Sequence, residues 1–407
     1  MIDLLTNIYF SLLKFVALFH SKARHLVQGE KKAFEQIARK RNANASYIWF
    51  HAASLGEFEQ GRPIIEKIKT EQPDKKIILT FFSPSGYEVR KNYEHADIVT
   101  YLPFATKKNA RKFVELVRPE KAIFIKYEFW ANYLAELNEK QTPTYIIAAI
   151  FSPKQVFFKW YGKSYRKCLH LFTHLFVQNE SSAQLLAKYN IKNTTVCGDP
   201  RFDRMKTVSE TAASNELIEQ FIGDSPVLIA GSSWGADEEL LVRYHRERGN
   251  FKLILVPHEI HSEHLQAISQ LTDGKMLRYT QANEQNINSQ DCLVIDTMGM
   301  LSSLYKYATL AYVGGGFGKG IHNTVEAAIY GIPVVFGPKY EKFREAHDLI
   351  ACKGGFSIKR YDELSETLDM LFENPKKYGA NAQQYVNTEL GASQIIYDAI
   401  KNNNNTK

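Results

Sequence analysis

The sequence has only four cysteines in 407 residues, and no two of them form a C-x-x-C pair. Cys168, Cys197, Cys292 and Cys352 therefore indicate neither a zinc site nor a disulfide framework. Cys197 and Cys292 lie in or beside apolar runs and read as core thiols, as a reducing compartment gives. No apolar run reaches the roughly 20 residues of a full membrane span. The nearest approach, Ile2 to Phe19, is interrupted by Asp3 and Lys14. No small-residue cleavage site follows it, so a removed signal peptide is disfavoured. The chain shows no internal repeat, and no Gly-Lys-Ser/Thr closes a Walker A loop.

What is present is a chain that can build a large core. Hydrophobic residues make up 44% and charged residues 23%, which excludes global disorder. The length suggests two or three domains at roughly 100–200 residues each. Lys plus Arg number 51 against 44 Asp plus Glu, an excess that favours anionic partners. Lys22, Arg24, His25, Lys31 and Lys32 follow the apolar N-terminus, a basic flank suited to anionic headgroups on the cytoplasmic side. Residues 1–30 are expected to form a membrane anchor that lies in the interface or barely spans; the alternative is a helix packed on the protein itself.

From Tyr47 onward short apolar runs alternate with amphipathic stretches. Expected strands are Tyr47–Ala52, Ile77–Phe82, Ile98–Leu102, Ala122–Ile125, Tyr145–Ala149 and Leu175–Val177, with helices such as Pro63–Lys69, Asn109–Val117, Trp130–Glu139 and Ser182–Tyr189 between them. Continuous apolar runs suit parallel strands buried on both faces. The pattern loosens near 205–225, then restarts with Val227–Ala230, Leu253–Val256, Leu293–Ile295, Leu310–Val313 and Val334–Phe336. The expectation is an α/β protein of two Rossmann-like domains, 31–205 and 206–400, with ligands at the carboxyl ends of strands and a cleft between domains. The tail Asn402–Lys407 is expected to fray.

Five segments can carry chemistry. His51-Ala-Ala-Ser54-Leu-Gly56-Glu57 follows the first strong strand, and Gly56 suits a tight strand-to-helix turn. Glu57 is then a carboxylate in the first helical turn, able to act as a general base or merely to complement the helix dipole. Glu128 follows another strand, in Tyr127-Glu128-Phe129-Trp130-Ala131-Asn132, where Trp130 reads as packing. Gly231-Ser232-Ser233 ends a third strand and can offer N–H groups to a phosphate. After Pro257, His258, His261 and His264 share the spacing of one helix face; no further ligand pattern supports a metal, and none is expected. The last segment runs from Gly314-Gly315-Gly316 to His322-Asn323-Thr324-Val325-Glu326. It reads as a glycine-rich loop entering a helix, with N–H donors for an anion, Asn323 and Glu326 on one face, and Glu326 able to accept both ribose hydroxyls.

In combination these motifs resemble the Kdo (3-deoxy-D-manno-octulosonic acid) transferases of lipopolysaccharide assembly, from the N-terminus to about residue 355. His51–Glu57 is similar to the family's H-A-A-S-x-G-E, and Glu128–Asn132 to its E-L-W-P-N. Gly198–Asp203 is similar to G-N-x-K-F-D, with Arg201 for Lys, and Ala230–Ser233 to A-G-S-T. Gly320–Ala327 is similar to G-G-H-N-x-x-E, with Ile321 for Gly. Pro257-His258 lacks the Arg of P-R-H-P, for which Arg201, Lys319 or Lys339 are candidate substitutes, and Met300 stands where Glu is usual.

The resemblance implies the GT-B fold, CMP-Kdo as donor and a lipid A precursor as acceptor, with inversion and without cofactor, metal or nucleic acid. It implies Glu57 as base and Glu128 as a second catalytic carboxylate. Ser54, Gly56, Arg201, Ser232, Ser233, Pro257, His258, Gly314, Gly315, Gly316, His322, Asn323 and Glu326 are the implied binding residues. It implies a location on the cytoplasmic face of the inner membrane. Two rival readings remain: another GT-B enzyme acting on a nucleotide sugar, such as a UDP-sugar transferase or epimerase, and a catalytically silent membrane-bound anion- or lipid-binding protein.

Overall fold

Alternating strands and helices wind the chain into two parallel sheets of seven strands each. The computed structural model describes residues 2–42 and 44–402, so most of the expected frayed tail lies outside the described residues. One unit holds the chain up to Asp203 together with everything from Leu390 on, and the other holds Arg204–Glu389.

In the first unit the strands are β1 (Tyr47–Ala52), β2 (Lys76–Phe81), β3 (Ile98–Tyr101), β4 (Pro119–Ile125), β5 (Thr144–Ala149), β6 (His174–Val177) and β7 (Thr194–Val196), in sheet order β3-β2-β1-β4-β5-β6-β7. Every residue of β1 is buried. Its side chains alternate between two cores, Trp49 going to one and Ile48 and Phe50 to the other, as helices on both faces of a parallel sheet require. The helix Leu55–Glu71 starts well before the expected Pro63 and carries that proline in its interior. The capping box of Ser54 and Glu57 starts the helix, a stronger signal than the proline suggested.

In the second unit the strands are β8 (Val227–Ser233), β9 (Lys252–Pro257), β10 (Leu277–Arg278), β11 (Cys292–Val294), β12 (Leu310–Val313), β13 (Val334–Phe336) and β14 (Gly355–Ser357), in order β10-β11-β9-β8-β12-β13-β14. The expected loose linker at 205–225 is instead mostly helical, Arg201–Glu210 and Glu216–Ile222. Polar composition there reflects exposed helix faces. The expected domain 206–400 also differs from the observed unit at its end. The helix Ala392–Asn402 packs Ile396, Tyr397 and Ile400 into the first unit's core, and Asp203 accepts from the N–H groups of Gly391 and Ser393 at its start.

The N-terminus departs most from expectation. The helix Ile2–Val16 has 15 residues, and no helix among the described residues is long and apolar enough to cross a membrane. Residues 1–30 are not a separate anchor either. Phe10, Ala17, Ala23, Leu26 and Val27 are buried in the first unit's core. Phe10 stacks on Phe104 at 4.3 Å, and Glu30 accepts from the N–H of Phe104. The opposite side of the same helix is apolar and bare: Phe15 is 62% and Phe19, just beyond it, 79% exposed.

Candidate functional site

Near its middle each sheet reverses its strand order, between β1 and β4 in the first and between β8 and β12 in the second. At such switch points the crossovers leave to opposite faces and uncover the strand ends. The expected catalytic segments follow β1 and β4, Gly231–Ser233 form the end of β8, which runs three residues further than expected, and the glycine-rich loop follows β12.

At the first switch point Glu57 turns back over its own helix start. Its Oε2 accepts from the N–H of Ala53 at 2.7 Å and of Ser54 at 3.1 Å. Ser54 Oγ accepts from the N–H of Glu57. Both readings of Glu57 are thus served by one residue, because capping uses Oε2 and leaves Oε1 without a partner among the described residues. Burial lifts the pKa of Glu57 above the ordinary carboxylate value, and the charge of Glu128 lifts it further, against the N–H donors of Ala53 and Ser54. Gly56 has open space where a Cβ would stand, so the turn does not require a glycine there.

Glu128 is buried and tied into a network that sequence reasoning missed. His51, fully buried, puts Nε2 2.9 Å from Glu128 Oε2 and Nδ1 3.1 Å from the carbonyl of Thr80. Nδ1 also lies 2.9 Å from the hydroxyl of Thr80, which can donate or accept, and the indole N–H of Trp130 lies 2.9 Å from Nε2. The indole N–H of Trp130 reaches the same Glu128 oxygen. Trp130, read from sequence as packing, therefore also positions a carboxylate. The signal that could have found this is the apolar strand β1 ending in a histidine, a residue that needs partners when buried.

At the second switch point the glycines are explained by contact. A Cβ on Gly314 would stand 2.3 Å from the carbonyl oxygen of Ser232, and one on Gly316 2.5 Å from Gly337 Cα. Asp237, 1% exposed, joins the two loops: it accepts from the N–H of Gly315 at 2.9 Å, the N–H of Trp234 at 3.0 Å and the hydroxyl of Tyr312 at 2.8 Å. Sequence reasoning missed Asp237, although a carboxylate three residues after a helix N-cap, here Trp234, is the capping pattern. The N–H groups of Gly316 and Phe317 point to no partner among the described residues.

The helix after this loop is a single turn, Val325–Ala328, so the expected dipole at a helix start gives way to the loop's own N–H groups. Asn323 precedes that turn and donates to Glu326 Oε1 at 3.1 Å, while Ser302 donates to Oε2 at 3.1 Å. The hydroxyl of Ser233 is buried and donates to Glu238 at 2.8 Å, which removes it as a direct phosphate contact. Ser232 instead holds φ at +53°, an uncommon left-handed conformation for a residue with a Cβ.

The three histidines do not share a helix face. His258 precedes the helix Ser262–Leu271, His261 caps it and His264 pairs with Glu238. Among the described residues no group of three or more His, Cys, Asp or Glu is arranged to hold a metal. His258 joins a ring stack, 4.8 Å from Trp234 and 4.4 Å from His322, beside Pro257 at the end of β9. Burial and the neighbouring His258 hold His322 below the usual histidine pKa.

Arg201 belongs to the first unit. It donates to the buried Asp199, which also accepts from Gln60 and Gln178. Burial alone would raise Asp199, but Arg201 holds its pKa below the ordinary value. Of the candidate substitutes for the missing Arg, Lys339 donates to the carbonyl of Gly318 at 2.8 Å. Lys319 is exposed on the glycine-rich loop itself.

A first class follows from this fold: two parallel α/β sheets of the GT-B kind, each with its candidate residues at a switch point. The UDP-GlcNAc 2-epimerase of Neisseria meningitidis, solved with UDP-GlcNAc, shares the fold at a TM-score of 0.62 and 14% identity, over 88% of this chain and 100% of that one. Residues 28–204 match the family model described as 3-deoxy-D-manno-octulosonic-acid transferase (kdotransferase). A 3-deoxy-D-manno-octulosonic acid transferase of Rickettsia bellii is 26% identical over 402 residues, 94% of this chain and 93% of the relative. A bifunctional glycosyltransferase/methyltransferase of Fusobacterium nucleatum is 25% identical over 369 residues; these cover 86% of this chain but 56% of that protein. The chain is a glycosyltransferase similar in sequence to the Kdo transferases over most of its length.

Proposed function

We propose that the chain transfers Kdo from CMP-Kdo to a lipid A precursor, with Glu57 as general base and inversion at the anomeric carbon. The observation that carries this is the carboxylate of Glu57, with one oxygen held by two backbone N–H groups and the other unpartnered. Its raised pKa brings its proton affinity nearer that of a working base at neutral pH. An acceptor hydroxyl gives its proton to Oε1 as its oxygen bonds to the anomeric carbon. The bond from that carbon to the phosphate oxygen breaks, and its electron pair leaves with CMP. Glu128, held by His51 and Trp130, places a second carboxylate near the base.

CMP is assigned to the second unit. The N–H groups of Gly316 and Phe317 suit the phosphate, Glu326 the ribose, and the rings of His258 and His322 a flat base or the phosphate. The bare apolar side of the N-terminal helix suits the headgroup boundary of a bilayer. That supports a place on the cytoplasmic face of the inner membrane, where a phosphorylated glycolipid acceptor resides.

Glu57→Ala is expected to abolish transfer from CMP-Kdo, measured by mass analysis of the glycolipid, while CMP affinity by calorimetry stays native. Glu326→Ala is expected to weaken CMP binding. Near-native transfer by the first variant would remove the base assignment. Thermal stabilisation by UDP and not by CMP would favour a UDP-sugar enzyme.

A further inference from the structure

Beyond the N-terminal helix the first unit exposes a second aromatic feature, between β5 and β6. Trp160 is 90% and Tyr161 60% exposed, with their rings edge to face at 5.4 Å. This tip is built to stand out. A Cβ on Gly162 would lie 1.6 Å from the carbonyl of Val156, so only glycine closes the turn behind the two rings. Arg166 donates to the carbonyl of Phe157 at 2.8 Å, and its guanidinium lies 4.1 Å from the centre of the Tyr189 ring. Beneath the tip, Phe157 and Phe158 are buried. Trp160 and Tyr161 together form a contiguous exposed aromatic patch, the kind of feature that marks an interaction site.

The charge around it identifies the occupant. From Phe151 to Asn179 the sequence has no Asp or Glu, while Lys154, Lys159, Lys163, Arg166 and Lys167 are all basic. Tryptophan and tyrosine are the side chains that settle at the headgroup level of a bilayer, and lysines beside them add attraction to anionic lipid. The location fits as well. Phe157 packs 4.7 Å from Phe129, and Phe10 of the N-terminal helix stacks 6.4 Å from Trp130. The two exposed apolar features therefore flank the segment that carries Glu128.

We infer that the Trp160–Tyr161 tip is a second membrane-contact point, seated in the interface of an anionic bilayer. With the N-terminal helix it borders the Glu128 loop, so that a lipid-borne acceptor is met at the bilayer surface. The inference stands apart from the transfer reaction, and its test reads vesicle binding instead of turnover.

The full chain is mixed with vesicles of phosphatidylcholine, with or without phosphatidylglycerol, and tryptophan emission is recorded with brominated acyl chains as quenchers. Quenching is expected with the anionic vesicles and is expected to fall in Trp160→Phe. Trp160→Ser is expected to weaken vesicle binding about tenfold, and Lys163→Gln about fivefold at low salt, with unfolding temperature unchanged because both side chains are exposed. Vesicle binding with undiminished quenching in Trp160→Phe would overturn the inference. So would equal binding by Trp160→Ser, no binding at all, or a native dimer that Trp160→Ser dissociates, since the tip would then cover a second copy.

Discussion

Gly314 and Gly318 lie four residues apart in one loop, yet a methyl group should have opposite consequences at the two. A Cβ at 314 meets the Ser232 carbonyl oxygen at 2.3 Å and Ser233 Cα at 2.7 Å; at 318 its nearest neighbour is the Gly315 carbonyl oxygen at 3.5 Å. The first contact is with backbone of β8, which cannot rotate away, so Gly314→Ala must push the loop off the strand. That strains the bond from the N–H of Gly314 to the carbonyl of Gly231, now 2.9 Å. Overpacking of this kind costs about 1–3 kcal/mol. For a unit of this size each kcal/mol lowers the unfolding temperature by about 2–4 °C, so a fall of roughly 2–12 °C is expected. The N–H groups of Gly316 and Phe317 move with the loop, and CMP affinity should drop on the order of tenfold or more. Gly318→Ala should match the native protein in both respects. Scanning calorimetry with and without CMP, with isothermal titration for affinity, measures both effects. Equal behaviour of the two variants would refute the argument that close backbone approach is why this loop is glycine.

Two further predictions concern charge. Burial and Glu128 raise the folded-state pKa of Glu57, so ionising it opposes folding; its favourable contribution is full below the ordinary carboxylate pKa and is lost as pH rises through the raised value. Glu57→Gln should therefore be more stable than the native protein near pH 8, with the advantage shrinking towards pH 4, as followed by thermal melts across that range; a constant difference would count against a raised pKa. Lys319→Ala should weaken CMP binding about three- to tenfold with transfer at saturating donor unchanged, consistent with loss of one exposed charge contact; an unaltered affinity would leave the place of the missing arginine unfilled.

The strands were legible wherever both faces are buried. Tyr47–Ala52, Leu310–Val313 and Val334–Phe336 are observed over the residues expected, because continuous apolar runs leave the chain no other favourable arrangement. The strands that went unseen are the edge elements Thr194–Val196, which is half exposed, Leu277–Arg278, which has two residues, and Gly355–Ser357, which has three. The carboxylate Glu57 was legible as a dual candidate from its position after a strand. Its partners were not, because His51, Thr80, Glu128 and Trp130 come from three separate stretches of chain and meet only when β1 is paired with β2 and β4. The N-terminus was legible as an apolar stretch, but which of its residues are buried depends on Phe104, almost a hundred residues away.

Both units place their chemistry at a strand-order reversal, yet the two loops do opposite things with the same backbone. After β1 the chain enters a helix at once, and the N–H groups of Ala53, Ser54 and Glu57 are capped by the side chains of Glu57 and Ser54. Those donors are taken, and the other oxygen of the Glu57 carboxylate is left as an acceptor of protons. After β12 the chain does not enter a helix for a dozen residues. Its glycines let backbone lie directly on the ends of β8 and β13, and a buried aspartate takes the N–H of Gly315 while those of Gly316 and Phe317 stay open. What this loop offers is donors, which suit an anion. The proposed base for a hydroxyl and the proposed cradle for a phosphate thus share one architectural position, and they differ in whether a side chain caps the exposed N–H groups or leaves them for a ligand.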